Sequence, residues 1–236
     1  AKFATYQTFI NGGYNVAGIE KAILASKSDK KIVLLNFPNN PTGYTVTEKE
    51  AQQIGDAILR IAEKGNNVLV ILDDAYFGLV YEEGVYKESL FSILADLHPN
   101  VLTVKLDGPT KEDYVWSFRV GFITFGIKNS TDAELKALES KAAGSIRGNV
   151  SNCSGLAQSM LMKAYQHKDY DIQKKNKFNI LAKRYSKIKE LFSAHPEYQK
   201  SFEIMPFNSG YFMCVKPIGV DAETVRKELI AKYSTG

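Results

Sequence analysis

Short apolar runs alternate with longer stretches of helical period through the first half of the chain. "KIVLLNF" at 31–37, "NVLVIL" at 67–72 and "NVLTVKL" at 100–106 are apolar at nearly every position, the pattern of strands covered on both faces. Between the first two, "TEKEAQQIGDAILRIAEKG" predicts a helix. Thr47 and Glu50 make a capping box, Ala51, Ile54, Ile58, Ile61 and Ala62 share one face, and Gly65 ends the run. A second helix is predicted over "KESLFSILADLH", closed by Pro99. Such alternation predicts an α/β fold: a mostly parallel sheet with helices on both faces. "RVGFITFG" follows the third strand too closely for a helical crossover and is expected to return antiparallel.

Further along, "IRGNVSNCSGLAQSMLMKAYQH" (146–167) reads as a Ser-Asn turn followed by a helix. "DIQKKNKFNILAKRYSKIKELFSAHPE" reads as a long amphipathic helix with Ile180, Leu181, Tyr185, Ile188 and Leu191 on its buried side. "SGYFMCVKP" (209–217) predicts a strand and "DAETVRKELIAKY" a last helix. No internal repeat or low-complexity segment interrupts this order.

Composition narrows the class. With 236 residues, 44% of them hydrophobic, the chain can bury one large core or two modest ones. A net charge of +4 from scattered lysines gives no footprint for nucleic acid. The longest aliphatic run, Val68 to Leu72, is far short of a membrane span. No secretory leader is visible, and Cys153 and Cys214 lack metal-ligand spacing, so buried free thiols in a cytoplasmic protein are expected. His98, His167 and His195 have no partners that suggest a metal or a triad.

In parallel sheets the carboxyl ends of the strands share one edge, where ligands collect. "NNPTG", "DDAY" and "GPTK" each follow a strand and should therefore converge. That edge would carry Asn40, Asp73, Asp74, Tyr76, Thr110, Lys111 and, eight positions on, Arg119. A partly desolvated lysine amine attacks carbonyls, a carboxylate can keep a pyridine nitrogen protonated, amide and phenol can bond a ring hydroxylate, and a guanidinium can fork onto a phosphate. Asp74 is expected at a helix start or in solvent.

"NNPTG" at 39–43, "DDAY" at 73–76, "TK" at 110–111 and "FRVGF" at 118–122 together resemble the class I/II aminotransferases, the fold type I pyridoxal-phosphate enzymes. The resemblance implies pyridoxal 5'-phosphate as cofactor and amino-group transfer between an amino acid and a 2-oxo acid. It implies Lys111 as the residue that condenses with the cofactor aldehyde and later moves the substrate α-proton. Asp73 would face the pyridine nitrogen, Asn40 and Tyr76 the ring 3-oxygen, and Thr110 and Arg119 the phosphate. Arg147, in an "R-x-x-x-S-N" context, matches a position that in dicarboxylate-specific relatives serves the neighbouring subunit's site; a structural role stands beside that reading. A homodimer is implied. So is a division into part of a cofactor-binding large domain (1–170), then a linking helix and part of a small C-terminal domain (171–236).

The chain departs from the family in three places. Gly108 stands where a small hydroxyl residue is usual, Asp107 precedes it and would repel a phosphate unless turned away, and "EDYVWSF" replaces a Gly-rich stretch. Trp116 and Phe118 are expected to pack under that loop. The family's upstream phosphate-binding helix start and its C-terminal carboxylate-binding arginine have no counterpart, so the chain is expected to be a fragment lacking both ends and inactive alone. A β-lyase, a decarboxylase or a non-catalytic cofactor-sensing module stay open. An unrelated nucleotide-binding domain lacks its glycine-rich loop.

Overall fold

The computed structural model describes residues 3–235. A small hairpin, β1 (Phe9–Ile10) and β2 (Gly13–Tyr14), leads into α1 (Val16–Ala25) and β3 (Lys30–Asn36). Next come α2 (Glu48–Glu63), β4 (Asn67–Asp73), α3 (Phe91–Leu94), β5 (Val101–Asp107), α4 (Pro109–Glu112) and β6 (Phe122–Gly126). The chain continues through α5 (Asp132–Asn149), α6 (Gly155–Tyr165) and α7 (Tyr170–Ala194), then β7 (Phe202–Ile204), β8 (Val215–Pro217) and α8 (Ala222–Tyr233).

The central sheet has the order β3-β4-β5-β6. Its first three strands are parallel and β6 returns antiparallel to β5. Val33 and Leu35 of β3, Val68, Val70 and Leu72 of β4 and Val101 of β5 turn one face toward α2. There they meet Ala51, Ile54, Ile58, Ile61 and Ala62, the face read from the helical period. The opposite face of β3 is open, with Ile32 67% and Leu34 66% exposed.

Helix α2 starts where its box predicts. Glu50 N donates to Thr47 Oγ1 at 3.2 Å, and Thr47 N donates back to Glu50 Oε2 at 2.8 Å. The same carboxylate accepts from Tyr44 Oη at 2.8 Å and from Tyr14 N at 2.6 Å, so it also ties the hairpin to the core.

Several expectations need correction. The helix read over 87–98 is a single turn, α3. Leu94 O accepts from Leu97 N at 3.4 Å, a tighter i→i+3 turn in place of a continued helix, and from Thr103 Oγ1 of β5 at 3.0 Å. Helix α5 was not legible from apolar period, although Thr131 and Glu134 cap it with a second box. The apolar side of α7 is only partly covered: Ile180 is 52% exposed, because mainly Tyr81 and Phe207 pack on this stretch. Strand 209–217 shrinks to Val215–Pro217, since Ser209 to Cys214 bond to the loop after β3 and to Leu79 instead. Neither cysteine is buried, though both are free. Trp116 is 73% exposed; Val115 and Phe118, not Trp116, pack against Val120, Ala157 and Leu161.

Because α2 is the main cover of the sheet, Ile61→Ala is expected to cost about 3 kcal/mol of stability. Urea unfolding measures it, and a loss below about 1 kcal/mol would contradict the packing assigned to α2.

Candidate active site

The strand register sets the site. Asn36, at the end of β3, lies opposite Asp73, at the end of β4, and Asp73 lies opposite Leu106 of β5. Asn36 Nδ2 donates to Asp73 O at 2.9 Å, and its Oδ1 accepts from Asn40 N at 2.7 Å and from Asn39 Nδ2 at 3.2 Å. One carboxamide thus joins two strand ends and shapes the "NNPTG" turn. A polar residue closing an apolar run was the available signal for Asn36, which sequence reasoning missed.

Asn40 Nδ2 reaches Tyr76 Oη at 3.5 Å. Burial raises the Tyr76 phenol above its ordinary range, the charge of Asp73 adds to this, and the Asn40 bond opposes it. Asp73 accepts from Ala75 N at 3.2 Å through Oδ1, which fixes the turn that carries Tyr76. The Tyr76 ring is edge-packed by Tyr211 at 5.2 Å and Phe212 at 5.9 Å, two residues read from sequence as strand.

The turn after β5 delivers the lysine. Gly108 lies against the return strand: a Cβ there would sit 2.8 Å from Val120 O and 3.1 Å from Gly121 Cα. Only glycine permits that approach. Pro109 then opens α4, and Lys111 Nζ rests 4.9 Å from the centroid of the Tyr76 ring. Behind it, Asp113 accepts from Tyr165 Oη at 2.8 Å and from Tyr170 Oη, and pairs with Lys174 at 3.1 Å. This knot moors the segment after Lys111 to α6 and α7.

Asp73, Thr110 and Lys111 line one cleft of about 510 Å³, together with Gly108, Val120 and Ile146. Asp73 and Asn40 line an adjoining cleft of about 370 Å³. Clefts of this size suit a small cofactor. Thus Asn40, Asp73, Tyr76, Thr110 and Lys111 come together. Arg119 and Arg147 do not line either cleft. Arg119 holds left-handed backbone (φ 54°) and donates from Nη1 to Trp116 O at 3.2 Å. Arg147 ends α5 and donates from Nη1 to Ser151 Oγ at 2.8 Å. Among the described residues, no group of three or more His, Cys, Asp or Glu could hold a metal, and no helix is long and apolar enough to cross a membrane.

Asp74 corrects the reading of a solvent or helix-start carboxylate. It sits in a turn, 5% exposed, and its Oδ2 has no hydrogen-bond partner among the described residues. Burial pushes its pKa up to about 6, against the pull of Ser89 and Lys105.

An open sheet with polar strand ends gathered on a lysine is the architecture of the fold type I pyridoxal-phosphate enzymes, here the large domain with part of the small one. The chain belongs to the class I and II aminotransferases, whose family pattern matches residues 1–234. It is 32% identical over 122 residues to glutamate-pyruvate aminotransferase AlaA of Haemophilus influenzae, 51% of this chain and 28% of that protein. Over 93 residues it is 36% identical to a probable N-acetyl-LL-diaminopimelate aminotransferase of Bacillus subtilis, 39% of this chain and 21% of that one. An aminotransferase structure from Anaerococcus prevotii superposes with a TM-score of 0.73 at 23% identity, over 87% of this chain and 50% of that chain. A mitochondrial aspartate aminotransferase from Trypanosoma brucei gives 0.72 at 19%, over 97% and 58%. The chain therefore spans about half the length of these solved relatives.

Burial of Asp74 has a pH signature. A carboxyl whose folded pKa is raised binds its proton more tightly folded than unfolded, so ionising it withdraws stability as pH climbs from 3.8 to about 6. Above that window its contribution is flat. Asp74→Asn is expected to remove about 2 kcal/mol of the stability that the wild type has at pH 4 relative to pH 7.5, as read by urea unfolding at both values. An unchanged gap would contradict the assignment.

Proposed function

We propose that this chain carries the cofactor-binding core of a pyridoxal-phosphate-dependent aminotransferase, which moves an amino group from an amino acid to a 2-oxo acid. The observation that carries the reading is the position of Lys111 Nζ, 4.9 Å from the Tyr76 ring and on one cleft with Asp73 and Thr110. The donor set fits the cofactor: an amine for its aldehyde, a carboxylate for its ring nitrogen, an amide and a phenol for its ring oxygen. When bound, pyridoxal phosphate supplies that aldehyde and an electron-poor ring that acidifies the substrate α-carbon.

Lys111 Nζ would supply the amine for the aldehyde and the base that takes the proton from the substrate α-carbon. Asp73 would hold a proton on the ring nitrogen, and the bond its Oδ1 accepts from Ala75 N orients it. Asn40 and Tyr76, linked to each other, orient the ring oxygen. Thr110 would hold the phosphate from the cleft wall, and Arg119, whose Nη1 donates to Trp116 O, would turn from that bond to join it. The exposed end of α5 leaves Arg147 available to a second subunit's site in a homodimer, beside the structural role its bond to Ser151 Oγ gives it. The whole protein's substrates belong to this proposal.

The test is to load the whole protein with pyridoxal phosphate, reduce with borohydride and map the modified peptide. Label on Lys111 is expected, and label elsewhere or nowhere would remove the assignment. Lys111→Ala is expected to lower the half-reaction with an α-amino acid by at least about a thousandfold. Release of the matching 2-oxo acid separates transamination from β-elimination or decarboxylation. In Arg119→Ala, cofactor affinity should fall about tenfold; an equilibrium titration matching the wild type would strip Arg119 of its phosphate role.

A further inference from the structure

Three carboxylates close the two central strands: Asp73 at the end of β4 with Asp74 next to it, and Asp107 at the end of β5. Asp74 N donates to Leu106 O, which ties these ends together. Gly108 to Lys111 follows at once, and on the reading above that turn receives a phosphate. A dianion placed there meets an acidic edge. Left uncompensated, the acids would oppose it, because charges in a partly buried setting are weakly screened.

The sheet itself holds a compensating charge. Lys105 lies opposite Leu72 of β4 and Thr124 of β6, in the middle of the sheet. It shares a face with Val101 and Thr103, both fully buried, so a lysine breaks the pattern of its own strand. Its Nζ pairs with Asp107, two positions on and on the same face, and lies 5.2 Å from the centroid of the Phe77 ring. Both side chains of the pair are largely covered, at 20% and 16% exposure. The same ammonium acts on Asp74, whose carboxyl it pulls down while Asp107 pushes it up. One ammonium therefore serves the acids at the ends of both strands.

We propose that Lys105 is a positioning residue for the anionic end of the cofactor: paired with Asp107, which lines the cleft beside the Gly108–Lys111 turn, it offsets the carboxylate charge that would otherwise oppose a phosphate in that turn. This rests on the pyridoxal-phosphate reading and extends it to a residue that touches neither cleft. It also accounts for Asp107, the departure that seemed least compatible with a phosphate. The acid is held against an ammonium.

The experiment titrates the whole apoprotein with pyridoxal phosphate and, separately, with pyridoxal, which keeps the aldehyde and ring and lacks the phosphate. Lys105→Met is expected to weaken pyridoxal phosphate about tenfold or more while pyridoxal stays within about twofold. Lys105→Arg should stay near wild type. The double variant Lys105→Met, Asp107→Asn should recover most of the loss, because it removes the stranded carboxylate with its partner. Equal weakening of both ligands, or a double variant as weak as the single, would mean a structural role and overturn the proposal. Wild-type affinity in Lys105→Met would overturn it as well, and borohydride labelling of Lys111 would then still stand. A wild-type protein that binds neither ligand defeats both readings. If Lys105→Met does not fold, Asp107→Asn alone decides: affinity for pyridoxal phosphate at or above wild type supports the charge argument, and a selective loss refutes it.

Discussion

The in-register row Asn36–Asp73–Leu106 across three parallel strands decides where the polar groups of this chain can meet. Side chains alternate along a strand, so a one-residue slip would turn Val33 and Leu35 out of the core and Asp73 to the wrong face. The apolar face of α2 can be covered only in the register that also lines up the three strand ends. Core and site therefore share one constraint. Asn36 reinforces it, since its carboxamide bridges β3 and β4 only when their ends are level.

The region beyond residue 200 is fixed to this edge at the level of the backbone. Gly43 has φ 70°, and a Cβ there would lie 2.0 Å from Phe212 O. Its carbonyl accepts from both Asn208 N and Ser209 N, and Asn208 Oδ1 accepts from Thr45 N at 2.8 Å. Closing so long a loop costs entropy that grows only slowly with its length, and several buried hydrogen bonds suffice to hold it. Their consequence for the site is direct. They set Tyr211 and Phe212 against the ring of Tyr76, so the phenol is positioned by residues from both halves of the chain.

Features written in local chemistry were legible from the sequence. The box of Thr47 and Glu50, the five apolar positions of α2, the three apolar strands and the short return to β6 depend on neighbours in the chain, and each falls where its pattern put it. The grouping of Asn40, Asp73, Tyr76, Thr110 and Lys111 was legible because parallel strands must present their carboxyl ends together. What escaped depends on partners far away in sequence. The 87–98 helix stops at a turn bonded to Thr103, Asp74 is buried by a turn, and Tyr211 and Phe212 leave a strand pattern to pack on Tyr76. Period also fails for α7, where an apolar stripe is present without a full surface to receive it. The partner of Asp107 was two residues away, yet a lysine inside an apolar run reads as an interruption until the register gives both the same face.

The lysine is delivered by a turn that is held on every side except the one it uses. Gly108 is pressed against Val120 O, Pro109 fixes the first torsion of α4, and Asp113 is tied to Tyr165, Tyr170 and Lys174. Between these anchors the amine meets a ring face and pairs with no carboxylate among the described residues, although Asp73 and Asp107 end nearby strands and Asp74 follows one. An ion pair would fix the amine on a carboxylate; the face of the Tyr76 ring positions it without a hydrogen-bonding partner on that side. The acids that could have captured it are otherwise engaged, Asp73 on Ala75 N and Asp107 on Lys105, while burial of Asp74 disfavours its charge. A lysine left unpaired at an acidic sheet edge requires that division of partners, because any one of the three carboxylates, turned toward it, would pair with it instead.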